Sequence, residues 1–231
     1  MKRQITYEQA VYGSFPFWDR GYAFLARSAG CRREWLEALR TAAQRFGERP
    51  TGVVEQTCFF AMPLARGPWM IVGVFPQGSD DKGRPGALAF HAIFVSRWAY
   101  WWAGADPFVV LPALRGLWSD AEKDSLLRSG RLVVCPTRSA PASVPEHFIK
   151  KIVEEIKQGQ KIVIDSAEPI EDLAHAIWQR LPGRIRRRAS VASWAFCNAN
   201  QFDLVAIPTV TRPSLALRET GPQFPRSWYA K

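Results

Sequence analysis

Of the three histidines in the chain, His91 has the setting in which an imidazole can do most. It stands between Phe90 and Ala92 in an apolar run, where the ring serves either as a base or as a buried side chain held by a hydrogen bond. Just before it, Gly83-Arg84-Pro85-Gly86 offers a guanidinium on a glycine-bearing turn. Arg84 orienting an anionic substrate toward His91 is the enzyme site these residue types suggest, provided both line one cavity with a further polar group beside them. Pro85 removes an amide donor from the turn, so a plain turn before a strand explains those four residues better than an anion loop does.

Other chemistries find less support. No GxxxxGK[ST] or GxGxxG occurs, so a nucleotide-phosphate loop is absent, and no GxSxG elbow presents a serine nucleophile. Cys58 and His91 make a thiol–imidazole pair only if folding joins them; Cys58 between Thr57 and Phe59 reads as inert packing. His147 and His175 fall on helices with charged neighbours and are expected to face water. With no HxxxH, HExxH or CxxC spacing, neither a metal site nor a cofactor is expected. Asp165, Glu168, Glu171 and Asp172 gather at a strand end and helix start, where capping and the helix dipole account for them.

Two stretches suit binding. Arg184-Ile185-Arg186-Arg187-Arg188 is the one dense basic run. Read as extended chain leading into Trp194 and Phe196, it places Arg184, Arg186, Arg188 and both rings on one face by period-two alternation. Such a surface stacks bases and pairs phosphates, which makes nucleic acid a candidate partner. Ala189-Ser190-Val191 does not fit the RNP1 pattern, and a solvated, arginine-protected sheet edge is the plainer reading. Trp98, Trp101 and Trp102 form the second stretch, a cluster of indoles that either docks a partner or packs inward.

The elements that position these residues follow from periodicity. Strands are expected at Ile5 to Tyr12, stopped by Gly13, and at Gly21 to Arg27. A helix from about Arg32 to Phe46 repeats Trp35, Leu36, Leu39, Ala42, Ala43 and Phe46 before Gly47. Gln56 to Leu64 and Trp69 to Phe75 suit an antiparallel pair, Gln77 to Pro85 a polar loop, and Gly86 to Val95 a strand. Ser96 caps a short helix carrying the three tryptophans. Ser119-x-x-Glu122 and Ser143-x-x-Glu146 fit the capping box. A helix over Val144 to Gln158, a strand over Lys161 to Asp165 and a helix over Pro169 to Leu181 follow. Ala189 to Cys197 and Asp203 to Ile207 read as a closing hairpin. This order predicts an α/β chain, mixed α+β in class, with helices packed on a largely antiparallel or mixed sheet. One domain is expected over residues 1–211, with a soft boundary near Leu114 to Trp118, and a proline-containing tail over 212–231.

Composition sets the outer limits. The 231 residues are 47% hydrophobic with 10 Trp and 14 Phe, enough for a substantial core and incompatible with general disorder. Cys31, Cys58, Cys135 and Cys197 are scattered, which excludes a disulfide scaffold and suits a reducing, cytoplasmic setting. No unbroken apolar region follows Met1 to Glu8, so secretory export is not expected. The most apolar stretch, Ala87 to Leu114, is interrupted by His91, Arg97, Asp106, Pro107 and Pro112, so no membrane span is expected. The formal charge of +10 favours an anionic partner, although most of the basic residues are dispersed.

Three stretches together resemble one family. Tyr12-Gly13 through Gly21-Tyr22 to Ala26-Arg27-Ser28-Ala29-Gly30, then Gly83-Arg84-Pro85-Gly86-Ala87 with Ala89-Phe90-His91, then Gly104-Ala105-Asp106-Pro107-Phe108 occur in the order and spacing of the bacterial GTPase-associated protein 1 N-terminal domains. Ala29 replaces that family's proline, Ala87 its asparagine, and Phe90 separates Ala89 from His91. The resemblance spans roughly residues 7 to 197 and implies a component of a bacterial multi-gene system encoded beside a GTPase, often linked to defence. It implies no established catalysis. The reading expected from it is a non-catalytic adaptor that docks a GTPase or another protein of its operon. Arg84, His91, Trp98, Trp101 and Trp102 are the candidate contacts; the alternatives are nucleic-acid binding through Arg184, Arg186, Arg187 and Arg188, or an enzyme built on His91 and Arg84.

Overall fold

The computed structural model describes residues 3–65, 67–134, 144–208 and 223–224. Cys135, Ser143 and, save for residues 223–224, the expected tail lie outside the described residues.

Alternating and continuous apolar runs build one large sheet. Its centre is antiparallel: β1 (Arg3–Phe15) pairs with β2 (Trp18–Ser28) and with β5 (Pro85–Val95), β5 with β4 (Trp69–Ser79), and β4 with β3 (Cys58–Pro63). Beyond β2 lies the short parallel β6 (Ser125–Leu127), while β7 (Gly130–Val134) runs antiparallel to the start of β1. Past β3 the remaining strands are β8 (Ile162–Asp165), β9 (Val191–Ala192), β10 (Leu204–Ile207) and β11 (Gln223–Phe224). The order is β11-β8-β10-β9-β3-β4-β5-β1-β2-β6, with β7 off this path beside β1. Because β8, β9, β10 and β11 pair in parallel and the centre does not, the sheet is mixed and the class is α+β, as expected.

Among the described residues, five α-helices cover it: α1 (Arg33–Gln44), α2 (Arg97–Trp102), α3 (Glu146–Lys157), α4 (Glu171–Arg180) and α5 (Gly183–Arg186). Cross-strand partners share a face, so Cys58, Val74, Phe90 and Tyr12 form one row. Phe59, Gly73, His91 and Val11 form the next row, on the opposite face. α1 lies on the first face, where Trp35 meets Phe94 at 5.5 Å between ring centroids and Phe46 meets Phe90 edge-on at 5.7 Å. The second face receives Tyr100 of α2, stacked on Trp69 at 4.1 Å, and Phe108, edge-on to Phe59 at 5.0 Å. Trp178 of α4 reaches the same region, its indole N–H donating to the Ala105 carbonyl at 2.9 Å. No helix among the described residues is long and apolar enough to cross a membrane.

Several expectations are corrected. Gly13 does not stop β1: a Cβ there would sit 2.8 Å from the Leu88 carbonyl oxygen, so the glycine permits close strand approach inside the sheet. The polar loop is shorter than read, because β4 runs to Ser79 and Asp80 closes a tight turn by accepting the amides of Lys82 at 2.9 Å and Arg84 at 2.8 Å. Segments 189–197 and 203–207 are not a hairpin, since β9 and β10 run parallel. Ser190 and Asp203, each just before its strand, set that direction. The Asp203 carboxylate accepts the Ser190 amide at 2.7 Å and hydroxyl at 2.9 Å, and the Asp203 amide donates back to that hydroxyl at 3.1 Å. Ser119-x-x-Glu122 begins a 3-10 turn rather than an α-helix, with the Ser119 amide on the Glu122 carboxylate at 2.9 Å. Apart from these corrections, both sides of the soft boundary near Leu114 contribute to one core, with Leu36 and Phe90 from one side and Ile152, Trp178 and Phe202 from the other.

Candidate functional site

The register of β5 separates the two halves of the expected enzyme site. His91 is 1% exposed on one face of the sheet, while Arg84 lies in the solvent-facing turn at the end of the β4–β5 hairpin. The Arg115 backbone amide donates to His91 Nδ1 at 3.0 Å, so the proton sits on Nε2, which donates to Gln9 Oε1 at 3.0 Å. The edge of the Trp118 ring closes the site at 5.1 Å, and the Arg115 guanidinium covers that indole at 3.7 Å. Burial first, and then the Arg115 charge, lowers the imidazole pKa to about 3. His91 is therefore a neutral structural histidine. Arg84 is engaged by Asp80 at 2.7 Å. Burial pushes the Asp80 carboxyl upward, but hydrogen bonds from Arg84 and Lys82 outweigh it and hold the group below its ordinary value. His91 is sealed in the core while Arg84 faces solvent, so the two do not line one cleft, which corrects the His91/Arg84 enzyme reading.

The remaining nucleophile and base candidates are equally placed for packing. Cys58 shares a row with Phe90, so it and His91 point to opposite faces of the sheet, and burial raises the thiol far above its ordinary pKa. His147 is exposed as expected. His175 is not: it is buried, stacked on Phe108 at 4.3 Å, with Nε2 2.9 Å from the Gln179 side-chain nitrogen and 3.8 Å from Asp106. Among the described residues no group of His, Cys, Asp and Glu side chains is arranged to hold a metal ion.

Among the clefts on the surface of the described residues, two are well formed. The larger, about 590 Å³, is walled by Tyr12, Tyr22, Phe46, Phe90 and Phe196, with Arg49 at its rim. Arg49 is held by Glu55 at 2.5 Å, and Gly86, at φ +95°, leaves the space that this ion pair fills. The smaller, about 420 Å³, lies between Glu8, Arg32, Trp35 and Arg97. Neither lining contains a histidine, cysteine or aspartate.

The geometry concentrates differently on α2 and α5. Ser96 Oγ accepts the Ala99 amide at 3.2 Å and starts α2, and Gly104 at φ +96° with Ala105 at φ +53° ends it. Tyr100 points inward and is 1% exposed, anchoring the helix on Trp69. Arg97 ties the helix start to the β3–β4 turn by donating to the Leu64 carbonyl at 2.5 Å and the Gly67 carbonyl at 3.0 Å. With the core side settled, Trp98 is left 71% exposed and Trp101 40% exposed. Trp98 stacks on the half-buried Trp102 at 6.0 Å with 11° between the rings.

Beside them, Arg184 to Arg188 fold as a helical turn rather than the strand read from sequence, so alternation does not apply. Ile185 is buried and fixes α5; Arg184, Arg187 and Arg188 are exposed and Arg186 is half-buried. Trp194 and Phe196, the rings expected to share a face with these arginines, are 1% and 7% exposed and belong to the core. The aromatic neighbour is instead Trp101, with the Arg187 guanidinium 5.4 Å above its ring. No ion pair among the described residues involves Arg184, Arg186, Arg187 or Arg188. Underneath, Tyr100 Oη and Arg186 Nε are buried without hydrogen-bond partners among the described residues. Burial, reinforced by Asp106 and opposed by Arg186, holds the Tyr100 phenol well above its ordinary pKa. The two binding stretches thus form a single face of exposed indoles and uncompensated guanidinium groups.

Searches against family models, curated proteins and solved structures found no match to this chain.

The segments that carry the family resemblance have structural work in this fold. Gly104 and Ala105 end α2, Asp106 accepts the Phe108 amide at 3.0 Å, and Phe108 enters the core. Gly83 at φ +73° and Gly86 shape the β4–β5 turn. The partners that hold His91, Gln9 and Arg115, carried no signal in the sequence, because both come from elements distant along the chain.

Proposed function

We propose that this chain is a non-catalytic interaction module that docks a partner protein through the α2–α5 face. The observation that carries the reading is the pair of exposed indoles, Trp98 and Trp101, on a helix whose inward side is already fixed by Tyr100. Solvent-exposed tryptophan is costly to leave wet, and rigid aromatic anchors are the residues that dominate protein interfaces. The neighbouring arginines extend that surface with charge. In keeping with the resemblance to GTPase-associated protein 1 N-terminal domains, the partner is a GTPase or another protein encoded in the same operon, and the setting is the bacterial cytoplasm.

Co-expression of the tagged chain with the proteins encoded beside its gene tests this. Recovery of a neighbour with the wild type, and its loss with Trp98→Ala/Trp101→Ala, is the expected result. Failure to recover any neighbour, or equal recovery by the double variant, would overturn it.

A further inference from the structure

We infer that the occupant of the α2–α5 face is an acidic polypeptide segment carrying a large apolar side chain; this rests on the docking reading above and names the partner's chemistry. The charge argument comes first. Arg184, Arg187 and Arg188 are exposed on one short turn, unpaired by any carboxylate among the described residues, in a chain of net charge +10. A concentrated cationic spot attracts carboxylates from a distance and orients the encounter. Guanidinium groups are also weakly hydrated and pair carboxylates in a planar, two-pronged geometry, which suits an interface better than lysine would.

The indoles add the second requirement. Trp98 and Trp101 stand beside that spot, and apolar contact with them needs an aliphatic or aromatic side chain among the acids. The same face suits a nucleic-acid strand less well. One side of Trp98 is occupied by Trp102 and one side of Trp101 by Arg187, so open ring faces for successive bases are reduced. The arginines also gather on a single turn rather than along a track, whereas single-strand binding follows the backbone over several nucleotides.

The division of labour is kinetic. The arginines set the association rate, and the buried anchor set by the indoles controls dissociation.

Three fluorescent probes test the inference on the full chain: a short peptide of Asp and Glu with a central Leu-Phe pair, the same peptide with Asn and Gln for the acids, and oligothymidylate. The acidic peptide should bind and the neutral one should not, with Kd weakening about tenfold between about 50 and 200 mM salt. Arg184→Glu/Arg188→Glu should slow association with dissociation changed less than about twofold, while Trp98→Ala/Trp101→Ala should speed dissociation. All four positions are exposed, and circular dichroism confirms folding before rates are compared. Equal binding of both peptides, capture of oligothymidylate alone, or binding of no probe overturns the inference. An operon partner that binds independently of salt and of the arginines overturns it while leaving the docking reading intact. Binding of the acidic peptide when no operon partner is recovered leaves it standing and removes the adaptor role.

Discussion

Arg187 lies over the ring of Trp101, 5.4 Å from its centroid, and that contact joins two distant stretches of chain into one surface. Trp101 comes from a helix that follows a central strand, Arg187 from a turn that follows α4. Each stretch taken alone suggested a different partner; together they make one candidate face, where exposed indoles and guanidinium groups meet.

The exposed indoles should matter for binding and hardly for stability. Trp98→Ala removes a side chain that is 71% exposed, so its unfolding free energy from urea titration should stay within about 0.5 kcal/mol of wild type. Its effect on partner affinity should reach about 2 kcal/mol, some thirtyfold in Kd, as for an interface anchor. Titration of a recovered partner by calorimetry checks the second value.

Tyr100 offers the opposite case. Its hydroxyl is buried without a partner among the described residues, whereas its ring stacks on Trp69. Tyr100→Phe should therefore be neutral or stabilising by up to about 1–2 kcal/mol, because an unsatisfied polar group is removed. Tyr100→Ala should cost about 3–5 kcal/mol through the cavity it leaves, and should weaken docking by releasing α2. Thermal melts of the two variants separate ring from hydroxyl.

His91 predicts an acid-sensitive fold. Its folded-state pKa is about 3, below the ordinary value of 6.5, so between those values the unfolded chain binds the extra proton. Stability then falls as pH drops, by about 1.4 kcal/mol per unit once well below the unfolded pKa. From about pH 6.5 to 5 the loss attributable to this histidine is about 1.6 kcal/mol. His91→Gln, which keeps a donor toward Gln9, should flatten that part of the stability curve whatever its effect at pH 7. Chemical denaturation at a series of pH values, wild type against variant, gives the difference.

The parallel direction of β9 and β10 should depend on Asp203. Its carboxylate accepts both the amide and the hydroxyl of Ser190. Asp203→Ala should cost about 2–3 kcal/mol, since a buried backbone donor loses its charged acceptor. Hydrogen exchange should show faster exchange at Ser190 and along β9, while β4 and β5 in the centre stay protected.

Local pattern was enough for several of the longer elements of this protein. The period of Leu36, Leu39, Ala42 and Ala43 marked α1, the apolar runs at β3, β4 and β5 marked the sheet's centre, and Ser96 marked the start of α2, because each rests on neighbours a few residues away. Residue type also identified the tryptophans and arginines that make the candidate face. Tertiary structure decided what those residues meet. A short, arginine-rich segment reads equally well as an edge strand or a helical turn, and burial of Ile185 beside α4 selected the turn, which moved the arginines from Trp194 to Trp101. Ser190 and Asp203 chose parallel over antiparallel pairing by hydrogen bonds between segments that periodicity treats alike. The alternation of β5 assigned His91 to the core, where Gln9 and Arg115 hold it neutral, because an imidazole's protonation state is set by partners that arrive only when the sheet closes around it.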